Sequence, residues 1–326
     1  MKRFLVLLLA MAFVVPAYAA DSDFKANYKV TMTQSATHPY GVGAARLGEL
    51  IKERTNGRIT LTLYPDSQLA KGEQEMLQAL QMGTIDIYVG STGPVGNFSP
   101  SMNVLDIPFL FRDFQHVDKV LDGPIGKGLL ADLEKNQLKG LAFWENGFRN
   151  LTNSRTAIRT PDQAKGLKLR TMENKTHMAA FKAAGISPTP MAWAEVYPAL
   201  EQKVIDAQEN PIAVIYSSKI NEVQKYLSLT GHVYSPAPVI FSQMKWNRIP
   251  KADQEIIQKA AVEVAAFQRK VNRDAEAAKI KEMESKGMVV VRDVDKAAWQ
   301  AAMKPAFADF EKQFGKEKIA AIVNTR

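Results

Sequence analysis

The sequence predicts an α/β protein of two lobes joined by structured segments, with one very long helix crossing both. Three observations carry that reading. Strand-like and helix-like stretches alternate from Lys29 to Gly90, and the same grammar resumes at Leu138. The stretch from Lys251 to Lys286 contains neither Gly nor Pro and is rich in Ala, Glu, Lys and Gln, so it reads as one uninterrupted helix stopped by Gly287. The chain of 326 residues also exceeds what a single hydrophobic core usually supports.

The elements follow in order. Met1, Lys2 and Arg3 precede an apolar run from Phe4 to Val15, then Pro16 and the triplet Ala17-Tyr18-Ala19. This is the pattern of a secretory leader over residues 1–19, with the mature chain starting at Ala20. The apolar run is too short for a stable membrane anchor, and an exported periplasmic protein is expected. KVTMT (29–33) reads as a strand, and a helix begins near Pro39 and ends at Asn56-Gly57. RITLTLYP (58–65) alternates Ile59, Leu61 and Leu63 with threonines, the period of a strand. A helix over 72–82 closes at Gly83, and IDIYVG (85–90) is the next strand. Further strands are read at 138–145, 166–171, 204–209 and 288–292, with helices over 176–184 and 194–202. Such alternation implies a largely parallel sheet with helices on its faces, and in such sheets ligands sit beyond the carboxyl ends of strands.

Composition narrows the function. Without any cysteine there is neither a disulfide framework nor a thiolate metal site. Removing the leader takes Lys2 and Arg3 from 42 basic residues, leaving 40 against 34 acidic ones, a mild excess that favours small anions. Runs such as KIKEMESK and EKQFGKEK mix both signs as solvated helix faces do, and no basic block is interleaved with aromatics, so nucleic acid is not an expected partner. The histidines His38, His116, His177 and His232 are far apart in sequence and form no metal-ligand spacing. GPIGKGLL (123–130) has Leu121 where a phosphate loop needs Gly and Gly128 where it needs Ser or Thr; GVGAAR (41–46) ends in Arg where a dinucleotide fingerprint has Gly. No cofactor or metal is expected.

The informative residues stand at strand ends. Arg149 follows the strand ending near Glu145, Arg170 ends GLKLR, and Asn210 ends VIDAQEN just before Pro211. An arginine keeps its charge and presents a planar fork that matches a carboxylate through two parallel hydrogen bonds. Read singly, an arginine in so basic a chain is a solvated or structural residue, and Arg155 and Arg159 are read that way. Arg170 is different, because it closes a short strand that is apolar at Leu167 and Leu169. It is either paired with a protein carboxylate or reserved for a ligand.

Taken together, ENGFRNLTNSR, GLKLR, SPTPMAWAEVYPALEQKVIDAQENP (187–211) and EVQKYLSLTGH (222–232) resemble the DctP family, the extracytoplasmic solute-binding proteins of TRAP transporters. The likeness runs over essentially the whole mature chain, including YPDSQLAKGEQEMLQALQMGTIDI (64–87) and LDIPFLFRD (105–113). It implies a periplasmic-binding-protein clamshell, monomeric and without catalysis, that closes on an organic acid and presents it to membrane permease subunits. The implied lobes are residues 20–146 with 236–275, and 147–235 with 276–326. The resemblance also implies that Arg170 is the principal carboxylate partner, Arg149 a second donor and Asn210 an amide donor to the same carboxylate, with Trp193 walling the pocket.

The first lobe is expected to read the rest of the ligand through Gln34 and His38 after the first strand, Glu73 after the second, and Ser91 and Thr92 after the third. His38-Pro39 and Gly72-Glu73 are equally sensible helix starts. A carboxylate such as Glu73 accepts hydrogen bonds from hydroxyls and repels a second ligand carboxylate. This favours a hydroxylated monocarboxylic acid, and the phrases quoted above look most like those of relatives that bind 2,3-diketo-L-gulonate or hexuronates. The alternatives are a C4-dicarboxylate or sialic acid receptor of the same family and, more remotely, a periplasmic sugar-acid enzyme with His38 or Glu73 as base.

Overall fold

The computed structural model describes residues 23–326; the expected leader lies outside the described residues. In chain order the elements are β1 (Ala26–Thr31), α1 (Pro39–Arg54), β2 (Ile59–Tyr64), α2 (Glu73–Gln81), β3 (Ile87–Val89), α3 (Thr92–Val95), α4 (Phe114–Asp122), α5 (Pro124–Asp132) and β4 (Leu138–Asn153). The second half adds β5 (Lys168–Thr171), α6 (Lys175–Ala183), β6 (Ser187–Pro190), α7 (Trp193–Glu201), β7 (Ala207–Pro211), α8 (Ile212–Ser217), β8 (Tyr226–Ser242), α9 (Gln243–Trp246) and α10 (Lys251–Ser285). After these come β9 (Val289–Val291), α11 (Lys296–Met303), α12 (Phe307–Phe314) and α13 (Lys316–Val323).

The strands form one continuous sheet in the order β2-β1-β3-β8-β4-β7-β5-β6, with β9 beside β8. The expectation of a largely parallel sheet is corrected here. β1 pairs in parallel with β2 and β3, and β5 with β6 and β7, but the long central strands β4 and β8 run antiparallel to each other. β4 was expected to end near Glu145; it continues through Arg149 to Asn153. It does so by bulging: the register against β8 shifts between Glu145 and Gly147, and Gly147 sits at φ +121°, a conformation glycine adopts without penalty. β8 escaped the sequence reading because Gly231, Pro236 and Pro238 resemble breakers. β3 pairs only with Val239–Phe241, so both prolines lie where the β3 flank of β8 has no pairing to lose.

The long helix is as expected. Its buried positions, among them Ile257, Ala260, Ala261, Val264, Ala265, Gln268 and Asn272, recur three and four apart and form one stripe, and Gly287 at φ +99° ends it. Residues Ile257 to Ala265 complete one core with β1, β2, β3 and α1, whereas Ile280 and Met283 belong to another with Val196, Leu200, Ile212 and Ile215. Between them α10 clasps the β4 bulge. Gln268 holds both backbone groups of Glu145 at 2.8 Å, and the Glu145 carboxylate accepts from Arg273 Nε (2.8 Å), Asn272 (3.0 Å) and Tyr234 (3.0 Å).

Candidate functional site

A small cavity is walled by Thr33, Gln34, Tyr40, Glu73, Ser91, Asn146, Arg170, Met172, Trp193, Asn210 and Val214. These come from the ends of β1, β3, β5 and β7, the first turns of α1, α2 and α7, the short helix α8 and the β4 bulge, so the cavity opens where strand ends gather.

Arg170 closes β5 and is 2% exposed. Its Nε and Nη2 donate to the Met191 carbonyl at 3.0 and 2.7 Å, and its guanidinium lies 5.4 Å from the centre of the Trp193 ring. Nη1 is buried with no hydrogen-bond partner, and no carboxylate pairs with Arg170 among the described residues. Burial first, and the neighbouring charge of Arg149 second, push its pKa down to about 10, which leaves it charged at neutral pH. A carbonyl and an aromatic face position this cation without neutralising it.

Arg149 behaves otherwise. It is wholly buried and does not line the cavity. Its Nε and Nη2 form a fork on the Glu209 carboxylate, and Nη2 also donates to Asn210 Oδ1 at 3.0 Å. Glu209 additionally contacts His232 Nε2 at 3.1 Å, and although burial opposes its charge, Arg149 and then His232 hold its carboxyl well below the usual carboxylate range. The expected convergence of both arginines on the crevice is therefore corrected. Arg170 and Asn210 reach the wall, while Arg149 spends its fork on Glu209 and keeps only Nη1 unpartnered. The sequence reading missed Glu209, although it directly precedes Asn210 in the quoted QENP; strand register, which no local motif displays, brings it to Arg149.

Glu73 begins α2, accepts from the Tyr88 hydroxyl at 3.0 Å and sits deep enough that burial raises its pKa against the opposing effects of Tyr88 and Arg170. Gln34 faces the cavity and accepts from Ser218 at 3.4 Å across the cleft, and Ser91 lies 2.7 Å from Ser235. His38 and Thr92 are not on the wall. His38 caps α1, its Nδ1 accepting from the Tyr40 N–H at 3.1 Å, and Thr92 is buried, donating to Asp106 at 2.8 Å. Thr33, Tyr40, Asn146, Met172 and Val214 were missed. Two of them carry chemistry, because the buried Tyr40 hydroxyl and Asn146 Oδ1 lack partners. Both lay inside quoted or adjacent stretches, where attention to charge passed over a phenol and an amide.

A two-sided cavity with one unneutralised cation and several unpartnered polar atoms defines a receptor for a small polar anion. The chain matches DctP, the bacterial extracellular solute-binding protein family 7, over residues 30–313, and belongs to that family. It is 41% identical over 292 residues, 90% of this chain and 87% of the relative, to the 2,3-diketo-L-gulonate-binding periplasmic protein YiaO of Escherichia coli. Among solved structures, a TRAP periplasmic solute binding protein from Polaromonas, bound to D-erythronate, is 46% identical with a TM-score of 0.91, covering 93% of this chain and 99% of that one. The sugar acid binding protein DctPAm of Advenella mimigardefordensis, in complex with galactonate, is 32% identical with a TM-score of 0.89, covering 92% and 97%. Membership of this family makes the protein a solute-binding component of TRAP transport, not an enzyme.

Proposed function

We propose that the protein captures a hydroxylated monocarboxylic acid in the periplasm, as a monomer, and hands it to TRAP permease subunits. The observation that carries this reading is the set of three unpartnered buried atoms on residues that line the cavity: Arg170 Nη1, Tyr40 Oη and Asn146 Oδ1. Leaving such groups unsatisfied costs about 1–3 kcal/mol each, more for a charged one. A carboxylate accepts from Arg170 and the Tyr40 hydroxyl, and a ligand hydroxyl donates to Asn146 or Glu73. Asn210 and Trp193 hold the carboxylate side of the cavity; Gln34 and Ser91 face the rest. Arg149 acts from behind, fixing Asn210 and lending charge through Nη1.

The relatives that bind D-erythronate, galactonate and diketo-L-gulonate support a sugar acid. Because Gln34, Tyr40, Glu73 and Ser91 lie on one side and Arg170, Trp193 and Asn210 on the other, an acid touching both sides stabilises closure of residues 20–146 and 236–275 on the remainder. A ligand held equally in the open and closed forms shifts nothing.

The test is a thermal shift on refolded, ligand-stripped protein against erythronate, galactonate, hexuronates, diketogulonate, succinate, malate, sialic acid and neutral sugars. A ligand that binds only the native state raises the midpoint by mass action. Shifts with hydroxylated monocarboxylates are expected; a response to succinate or malate alone would replace the proposal with a C4-dicarboxylate receptor.

A further inference from the structure

A second concavity, a groove open to solvent, shares no lining residue with the first. Its walls are the start of α1 (Thr37, His38, Pro39), the end of α8 and the segment after it (Tyr216, Ser217, Lys219, Asn221, Glu222) and two lysines from α10 and its end, Lys279 and Lys286.

His38 supplies its most telling atom. The residue is 1% exposed, and its Nδ1 lone pair accepts the Tyr40 N–H. Burial first, and the charge of Lys279 second, lower the pKa of the ring to about 3, so at neutral pH it carries a single proton. With Nδ1 accepting, that proton stays on Nε2. Nε2 is therefore an N–H donor on the far edge of a ring that lines this groove and not the other cavity, and it is buried without a partner. A donor left in this state calls for an acceptor.

The surroundings specify the sign of that acceptor. α1 has sixteen residues and no acidic residue in its first turn, so the positive end of its dipole is not offset by its own sequence. Lys219 and Lys279 have no ion-pair partner among the described residues, whereas Lys286 is taken by Glu282 at 2.7 Å. The one acid among the lining residues, Glu222, is exposed and accepts from the Tyr197 hydroxyl at 3.3 Å.

We propose that this groove is a second binding site, for a small oxyanion of the carboxylate or phosphate type, which accepts from His38 Nε2 and is neutralised by Lys219 and Lys279. Since α1 forms one wall and the α8 region the other, the anion bridges the same two sides that the organic acid bridges in the first cavity. By linkage, its occupancy and that of the first cavity alter each other's affinity by one common factor.

The test is a titration of the full mature chain with inorganic phosphate and, separately, acetate, at constant ionic strength set with chloride, following the imidazole nitrogens by NMR. Saturable displacement of the His38 Nε2 resonance is expected. His38→Asn, which retains a side chain suited to capping a helix but lacks the reporter ring and is therefore followed by calorimetry, abolishes anion binding, and Lys279→Ala weakens it about tenfold or more, the scale of a lost charged hydrogen bond. Arg170→Ala leaves it unchanged. A response to phosphate alone or to acetate alone identifies the class. The proposal is overturned by absence of any saturable response to either anion, or by binding that survives in Lys279→Ala and His38→Asn but disappears in Arg170→Ala, which places the anion in the first cavity.

Discussion

Arg149 and Arg170 stand on the two strands that flank β7, both buried, and their surroundings differ in kind. Around Arg149 the protein has supplied a full counter-charge, with the Glu209 carboxylate fork, the Asn210 amide and His232 beyond it, and leaves only Nη1 without a partner. Around Arg170 it has supplied a backbone carbonyl and an indole face, which fix orientation and leave the charge unanswered. Burying a charge without a counter-charge is expensive. A fold keeps such a group where a ligand supplies the counter-charge, so the difference separates structural from binding arginine better than burial or sequence position.

The largest expected effect tests the structural side. Arg149→Ala leaves Glu209 buried with only imidazole for company, and breaking a buried pair this way costs about 3–5 kcal/mol of stability. Chemical denaturation of ligand-free protein measures it, and an unchanged midpoint would remove the distinction drawn above. Arg170→Ala strands no acid, so its ligand-free stability should stay within about 1 kcal/mol of wild type.

The binding side comes next. Arg170→Ala should weaken the acid identified by thermal shift by about 2–5 kcal/mol, roughly thirtyfold to several thousandfold in Kd by calorimetry. Near-normal affinity would return Arg170 to the structural class. Arg170→Lys should lose less but still about tenfold or more, because an ammonium cannot hold the Met191 carbonyl and a carboxylate in one plane as the fork does.

This contrast was only half legible in the sequence. Arg170 could be singled out because a charge closing an otherwise apolar strand is anomalous by local rules, and its place at a strand end survives any error elsewhere. The engagement of Arg149 depends on β4 continuing past Gly147 and on β7 lying in register beside it, a long-range pairing specified by tertiary packing. For the same reason β8, punctuated by Gly231, Pro236 and Pro238, was invisible, whereas α10, whose signal is one unbroken local pattern, was read to within a residue of its end. Tyr40 and Asn146 became candidates only when the fold showed that their polar atoms had no partner.

The smallest effect concerns the opposite wall, where Glu73 faces the cation that Arg170 leaves unanswered. Burial raises the Glu73 pKa, so it takes up a proton at less acidic pH than a free glutamate. Lowering the pH from neutral therefore removes a negative charge from the cavity before ordinary carboxylates titrate. Erythronate and tartrate distinguish the consequence, since they differ at one end, a hydroxymethyl group against a second carboxylate. At neutral pH the ionised Glu73 accepts from the hydroxyl and repels the carboxylate, so erythronate should bind more tightly. As the pH falls from neutral through the mildly acid range the preference should narrow, by no more than about tenfold per pH unit. Glu73→Gln should show the narrowed preference at every pH in that range, with no slope. Paired calorimetric titrations decide it: a selectivity that stays pH-independent in wild type, or a slope that persists in Glu73→Gln, would show that some other group reads the far end of the ligand.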